Sequence, residues 1–275
     1  MKWWFWGLVP VVLCAQTPVT VAHRGGMALR PENTLSAFEN AVKLGVNVLE
    51  FDMVITADDH VVIHHDLNIN PAICSSGNVT PAPIRSLTLG QIKTFDCGSQ
   101  KHPRFPQQMA VPGARIPTLE EFLQAVAQRN VDLMGETKMG QDGSPHFVDP
   151  ARFVNLIYPI IRKFEVQNRF ILQSGDYRTL AEMRRKDPRI RTCLLNARRF
   201  KPDYVGLARQ HGAAYLMLHY DDVASDGVSK LHAAGFRVFS STANDAAAWT
   251  KYLERGMDGI LTDDPEALIR FLKNR

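Results

Sequence analysis

Cysteine is scarce in this chain, with four in 275 residues, none in a Cys-x-x-Cys pair and none grouped with histidine. That spacing excludes the thiolate and imidazole clusters that hold structural zinc. No Gly-x-Gly-x-x-Gly follows the first β-branched run, so the main cue for dinucleotide binding is missing. Neither a Gly-x-Ser-x-Gly elbow nor a P-loop is present, which leaves serine-hydrolase and P-loop chemistry without an anchor. Charge of one sign is also in short supply. The formal net charge is only +4, and Arg184-Arg185-Lys186 and Arg198-Arg199 are the only basic clusters. A nucleic-acid binder gathers such residues into a stripe, so both clusters read as solvated helix ends and no nucleic-acid partner is expected. No Gly/Ser-rich or highly charged stretch serves as a linker, and 45% hydrophobic content is far above what keeps a chain disordered. One large domain fits the length.

Long apolar runs are lacking too. The longest opens the chain, where Met1-Lys2 precedes an apolar stretch from Trp3 to Cys14. It is too short for a bilayer, which needs about 20 apolar residues. One positive residue, a short apolar core and a small residue at its end describe a signal peptide over residues 1–15, with cleavage near Ala15. The expected mature chain, residues 16–275, is secreted or periplasmic and has no transmembrane span. Its cysteines are then Cys74, Cys97 and Cys193. In an oxidising compartment Cys74 and Cys97 close one loop, with Cys193 buried on a strand; three buried thiols are the alternative.

What is present is alternation. Candidate strands are Val19–Ala22, Val48–Ile55, Val61–His64, Val131–Glu136, Phe170–Gln173, Thr192–Leu195, Ala214–Leu218, Arg237–Phe239 and Gly259–Leu261. Most are separated by segments with apolar residues three and four apart, such as Leu35, Phe38, Ala41 and Val42. Repeated strand–helix alternation implies parallel strands and crossover helices. At this length it predicts an α/β fold, a TIM-type (β/α)8 barrel. Only Thr56 to His60 separate the second and third runs, whereas a parallel crossover needs about a dozen residues. These two runs therefore form a hairpin-like excursion, which leaves nine candidates for eight barrel positions. Residues 66–115, Pro- and Gly-rich and weakly periodic, read as an irregular insertion after the third strand, over the barrel mouth.

Barrel enzymes carry their reacting groups at the C-terminal ends of strands. Those ends hold His23-Arg24, Glu50 and Asp52, His65-Asp66, and Glu136 with Lys138. Glu50 and Asp52 are two apart on a strand and so face the same way, with Phe51 and Met53 on the other face. Two carboxylates aimed together into a barrel repel unless a cation joins them. Glu136 would complete an oxygen-rich site suited to Mg2+ or Ca2+ rather than zinc. His23 and His65 can divide acid and base duties near neutral pH. Arg24 and Lys138 supply the charge a phosphate anion needs. His64 should face away from His65, and the histidines at 60, 102, 146, 211, 219 and 232 read as surface or packing residues.

In the motifs "VAHRGG", "PENTLSAF", "LEFDMVIT", "VVIHHD", "GETK" and "GILTDDP" the sequence closely resembles the glycerophosphodiester phosphodiesterase family, over nearly all of residues 20–270. The resemblance implies that Glu50, Asp52 and Glu136 hold one divalent cation. It also implies that His23 and His65 are the acid–base pair, that Arg24 and Lys138 contact phosphate, and that Glu32 of the Pro-Glu-Asn motif supports the site. The plainer reading of Glu32 is an acidic residue favourable to the dipole of the helix opening at Thr34. The implied reaction is metal-dependent hydrolysis of glycerophosphodiesters to glycerol 3-phosphate and an alcohol such as choline or ethanolamine. Where the family commonly has Trp-Thr on a late strand, this chain reads Ser241-Thr242, which puts the preferred substrate in question. Two rival readings are a lipid-directed phosphodiesterase of the lysophospholipase D or C type and a non-catalytic secreted binding protein on the same barrel.

Overall fold

The computed structural model describes residues 17–197 and 203–275. The signal-peptide reading of residues 1–15 and the Arg198-Arg199 pair lie outside the described residues. The elements run β1 (Val19–Ala22), α1 (Leu35–Leu44), β2 (Val48–Ile55), β3 (Val61–Ile63), α2 (Leu89–Ile92), α3 (Leu119–Val126), β4 (Asp132–Thr137), α4 (Pro150–Lys163) and β5 (Phe170–Ser174). They continue with α5 (Tyr177–Lys186), β6 (Arg191–Leu194), α6 (Tyr204–His211), β7 (Tyr215–Leu218), α7 (Gly227–Ala233), β8 (Arg237–Ser240), α8 (Ala246–Glu254), β9 (Gly259–Thr262) and α9 (Pro265–Lys273).

Eight strands pair in parallel around a closed ring, β1-β2-β4-β5-β6-β7-β8-β9, with β9 returning to β1. The surplus strand is β3, which folds back antiparallel on β2 with Met53 opposite Ile63 and Ile55 opposite Val61. Its short link leaves room for nothing else. β3 ends at Ile63, one residue earlier than the alternation in the sequence predicts, and His64 continues only as far as donating its N–H to Asp52 O.

Each barrel strand sends one side chain into a common interior layer: Val21, Val48, Met134, Ile171, Cys193, Tyr215, Phe239 and Leu261. That layer plugs the lower barrel, so every inward residue above it faces the C-terminal mouth. The opposite faces of the strands pack under the helices, where Leu49, Phe51 and Met53 join Phe38, Phe122 and Phe170. Helix starts are set locally: the side chains of Thr34, Thr118, Asp149, Asp245 and Asp264 each accept a backbone N–H of the first turn.

Gly135, mid-β4, lies beneath this aromatic layer, and a Cβ there would sit 2.9 Å from both Phe51 Cζ and Met53 Cε and 3.0 Å from Phe170 Cζ. Gly135→Val is therefore expected to lower stability by ~1–3 kcal/mol through overpacking. A thermal melt matching wild type would show that the layer yields without cost.

Residues 66–115 are less irregular than the sequence suggests. They form the short helix α2 and a small core in which Ile69, Ile73, Ile84, Ile92 and Phe95 pack with Val54 and Val62 of the β2–β3 hairpin. Cys74 and Cys97 are joined as a disulfide within it, while Cys193 is a buried thiol in the barrel layer.

Candidate active site

The inward parity of β2 continues from Val48 to Glu50 and Asp52, which are 2% and 1% exposed. In register beside them, Glu50 lies opposite Met134 and Asp52 opposite Glu136. Glu50, Asp52 and Glu136 can each offer an oxygen so that all three lie within 4.8 Å of one another.

Three carboxylates this close are tolerated because of what surrounds them. Lys138 Nζ lies 3.2 Å from Asp52 Oδ1 and 3.0 Å from Glu136 Oε1. Arg24, in the turn after β1, donates its backbone N–H to Glu50 Oε2 at 2.9 Å and places Nε 3.6 Å from Asp52 Oδ2. The charges do not balance, however. Burial and the Asp52 charge push Glu50 up to about 7, and burial raises Glu136 as well. Asp52 goes the other way: burial opposes its ionisation, but Lys138 and Arg24 outweigh it and hold the carboxyl well below the usual range. Against burial, the same carboxylates push Lys138 up to about 12. One strongly ionised carboxylate and two destabilised ones make a donor set short of positive charge, which fits a hard divalent cation with oxygen ligands.

The two histidines act on different members of this cluster. His23 opens a one-turn helix after β1, and its charge acts on Glu50. His65 follows β3, and its charge acts on Asp52 and Glu136. Both are held the same way, through Nδ1 to an aspartate. His23 Nδ1 lies 2.5 Å from Asp263 Oδ1, and His65 Nδ1 2.7 Å from Asp66 Oδ1. Burial lowers the His23 pKa, but the Asp263 bond and the Glu50 charge outweigh it, so the net shift is upward. The bond from His65 draws Asp66 down to about 2. His64 turns away, buried, with Nε2 3.3 Å from Asn68 O.

Glu32 accepts from Arg24 Nη1 at 2.9 Å, so it joins the site through Arg24. His102, read from the sequence as a surface or packing residue, packs on Phe105 with ring centroids 5.3 Å apart and lies beside Glu32. It is 14% exposed, with Nε2 3.6 Å from Glu32 Oε2. Ser241 borders a recess of about 410 Å³ with Asn196, Met217 and His219.

Four further residues escaped the sequence reading. Gln173 of β5 donates to Glu50 Oε1 at 2.6 Å, and Asn33 donates to Asp52 Oδ2 at 2.9 Å. Asp263, 1% exposed at the end of β9, also accepts from Asn244 Nδ2 at 2.8 Å, and Asn244 Oδ1 accepts the Asp263 N–H. Gln173 ends a strand with inward parity, and Asp263 lies in the Thr-Asp-Asp-Pro motif, so both had a positional signal. Asn33 lies in the Pro-Glu-Asn motif but carries no charge to mark it out, and Asn244 had no signal apart from its tertiary neighbours.

A mouth cleft of about 1180 Å³ leads away from Glu136, Lys138 and His65 between residues 65–71 and the N-terminus of α5. The fold and much of the sequence recur in known proteins. The glycerophosphodiester phosphodiesterase of Caldanaerobacter subterraneus subsp. tengcongensis is 27% identical over 256 residues, covering 93% of this chain and 98% of the relative. A solved structure from Silicibacter pomeroyi DSS-3 superposes with a TM-score of 0.83 at 26% identity over 94% of both chains. A phosphodiesterase of Oleispira antarctica, solved with the product sn-glycerol-3-phosphate, shares the fold with a TM-score of 0.79 at 23% identity, covering 94% of this chain and 97% of that one. The model of the glycerophosphoryl diester phosphodiesterase family matches residues 23–267, from the first site histidine to the last helix, and on that breadth the chain belongs to this family.

Proposed function

We propose that this protein hydrolyses glycerophosphodiesters to glycerol 3-phosphate and an alcohol, with Glu50, Asp52 and Glu136 holding one divalent cation, Mg2+ or Ca2+. The observation that carries the reading is the three-carboxylate cluster, short of positive charge, together with two aspartate-held histidines whose charges act on it. When bound, the cation supplies Lewis-acid polarisation of the phosphate. Arg24 and Lys138 receive the anion; Arg24 Nε is buried without a hydrogen-bond partner. Glu32 steadies Arg24. With Nδ1 of each imidazole tied to aspartate, Nε2 is the proton-exchanging atom. His23 and His65 thus divide removal of the proton from the nucleophile and its return to the leaving alkoxide.

The mouth cleft is lined by polar residues such as Asn68, Asp142 and Arg178 and equally by apolar ones such as Leu67, Ile69 and Met139, so the choice between a polar alcohol and a lipid substrate falls to the assay below. Among the described residues no helix is long and apolar enough to cross a membrane. The signal-peptide reading at 1–15 and the Cys74–Cys97 disulfide support a secreted or periplasmic enzyme.

The test is glycerol 3-phosphate release from glycerophosphocholine by the purified protein, with EDTA and after Mg2+ or Ca2+ is restored. Chelator-sensitive release rescued by one cation is expected. Release from lysophospholipid micelles alone would move the reading to lipid substrates. Binding of cation and phosphate ester without turnover would leave a binding protein.

Cation affinity should depend on pH in a stated direction. A carboxyl raised from 4.5 to about 7 stabilises the metal-free fold below its unfolded value, and that contribution is lost as pH rises through about 7. A cation must displace the same proton, so its affinity falls by up to ~10-fold per pH unit below the raised value. Calorimetric titration at about pH 6 and about pH 8 should show tighter binding at the higher pH. Equal affinity at both would mean that no such proton is displaced.

A further inference from the structure

The β1–α1 loop that carries Arg24 and Glu32 has an uncommon backbone: Arg24, Gly25, Gly26 and Asn33 all have positive φ, at 50°, 81°, 87° and 55°. Left-handed non-glycine residues persist only where surrounding structure over-determines them. The loop's own bonds account for part of this, for example Asn33 N–H to Arg24 O at 3.0 Å. The insertion adds further bonds to the loop.

Gln108 is 1% exposed, and its amide is fully used. Nε2 donates to Met27 O at 2.6 Å and to Arg30 O at 3.0 Å, while Oε1 accepts the His102 N–H at 3.1 Å. The next residue, Met109, donates its backbone N–H to Leu29 O at 3.1 Å. His102, fixed by Gln108, then lies beside Glu32 Oε2, a buried oxygen with no hydrogen-bond partner. The segment that brings these groups in is tied at its base, where Val111 N–H donates to Gly98 O and Cys97 N–H to Ala114 O, both at 2.8 Å, next to the Cys74–Cys97 disulfide.

We propose that Gln108, with His102, is a positioning residue for the anion-receiving pair Arg24–Glu32, so that the insertion forms part of the phosphate half of the site. Gln108 touches no reacting group. It holds the carbonyls of Met27 and Arg30, which sets the path of the chain between Arg24 and Glu32, and it presents His102 to the outer oxygen of Glu32. The inference rests on the proposed role of Arg24 in binding phosphate, and it adds a residue some eighty positions away whose loss should act on anion affinity rather than on turnover.

The experiment compares wild type with Gln108→Met, which keeps the volume but removes the donor to both carbonyls. A second variant, Gly98→Ala, acts at the base of the segment, because a Cβ there would come within 2.0 Å of Val111 O. For both, KM for glycerophosphocholine and the dissociation constant for inorganic phosphate are expected to rise ~10-fold, with kcat within ~3-fold of wild type. Amide hydrogen exchange over residues 27–33 should become faster. A merely destabilised protein would lose active fraction with KM unchanged. KM, phosphate affinity and exchange all at wild-type values in Gln108→Met would overturn the proposal. If wild type turned over no diester, the proposed function would fail on its own, and the phosphate titration and exchange would still decide this inference.

Discussion

Asp52→Asn is expected to reduce diester turnover by on the order of 10³-fold and to abolish the rise in Tm expected when Mg2+ or Ca2+ is added to the wild-type protein. Of the three clustered carboxylates, Asp52 is the one held firmly ionised, by Lys138, Arg24 and the amide of Asn33. Glu50 and Glu136 are both raised, so removing Asp52 takes away the charge on which a cation site of this kind depends. A loss of several kcal/mol of Lewis-acid stabilisation, at about 1.4 kcal/mol per factor of ten, gives the stated size. The substitution is nearly isosteric, but its single amide oxygen can accept from Asn33 or from Lys138 and not from both, so the activity is read beside a circular dichroism spectrum that confirms the fold. Turnover by Asp52→Asn at close to the wild-type rate, still sensitive to chelator, would remove Asp52 from the cation site.

Asp263→Asn should lower kcat by ~10²- to 10³-fold while leaving in place the rise in Tm expected on cation addition. Asp263 is buried and holds His23 Nδ1 at 2.5 Å, with its second oxygen fixed by Asn244. A neutral amide neither stabilises the imidazolium nor selects the ring tautomer that leaves Nε2 for the proposed proton transfer. The pH profile separates this role from a structural one. Burial alone lowers the His23 pKa, and Asp263 is the largest influence opposing it. The limb of the profile that reports His23 should therefore move to lower pH in the variant. A smaller kcat with an unmoved profile would indicate only a loss of folded protein.

These two residues mark the division between what was legible in the sequence and what was not. Asp52 was visible because strand side chains alternate. Two carboxylates two positions apart, flanked by Val48 and Val54, can be assigned to one buried face without knowing any neighbour. The same local reasoning placed His23, His65, Glu136 and Lys138 at strand ends, and the five-residue link after Ile55 foretold a hairpin. Asp263 sits in a readable motif, yet its use depends on β9 closing the ring onto β1, which brings it to a histidine 240 positions away.

By itself, then, the sequence determined the alternation of strands and helices, the inward parity of Glu50 and Asp52, and the kinds of group at each strand end, because periodicity and steric direction are properties of a few consecutive residues. Only the tertiary structure decided that β3 is the strand left out of the barrel, that Gln173, Asn33 and Asn244 complete the hydrogen bonding of the site, and that Gln108 and His102 reach the Arg24–Glu32 loop. Amide side chains carry no charge to announce themselves, and their roles arise from partners that ring closure and the packing of the insertion bring into contact.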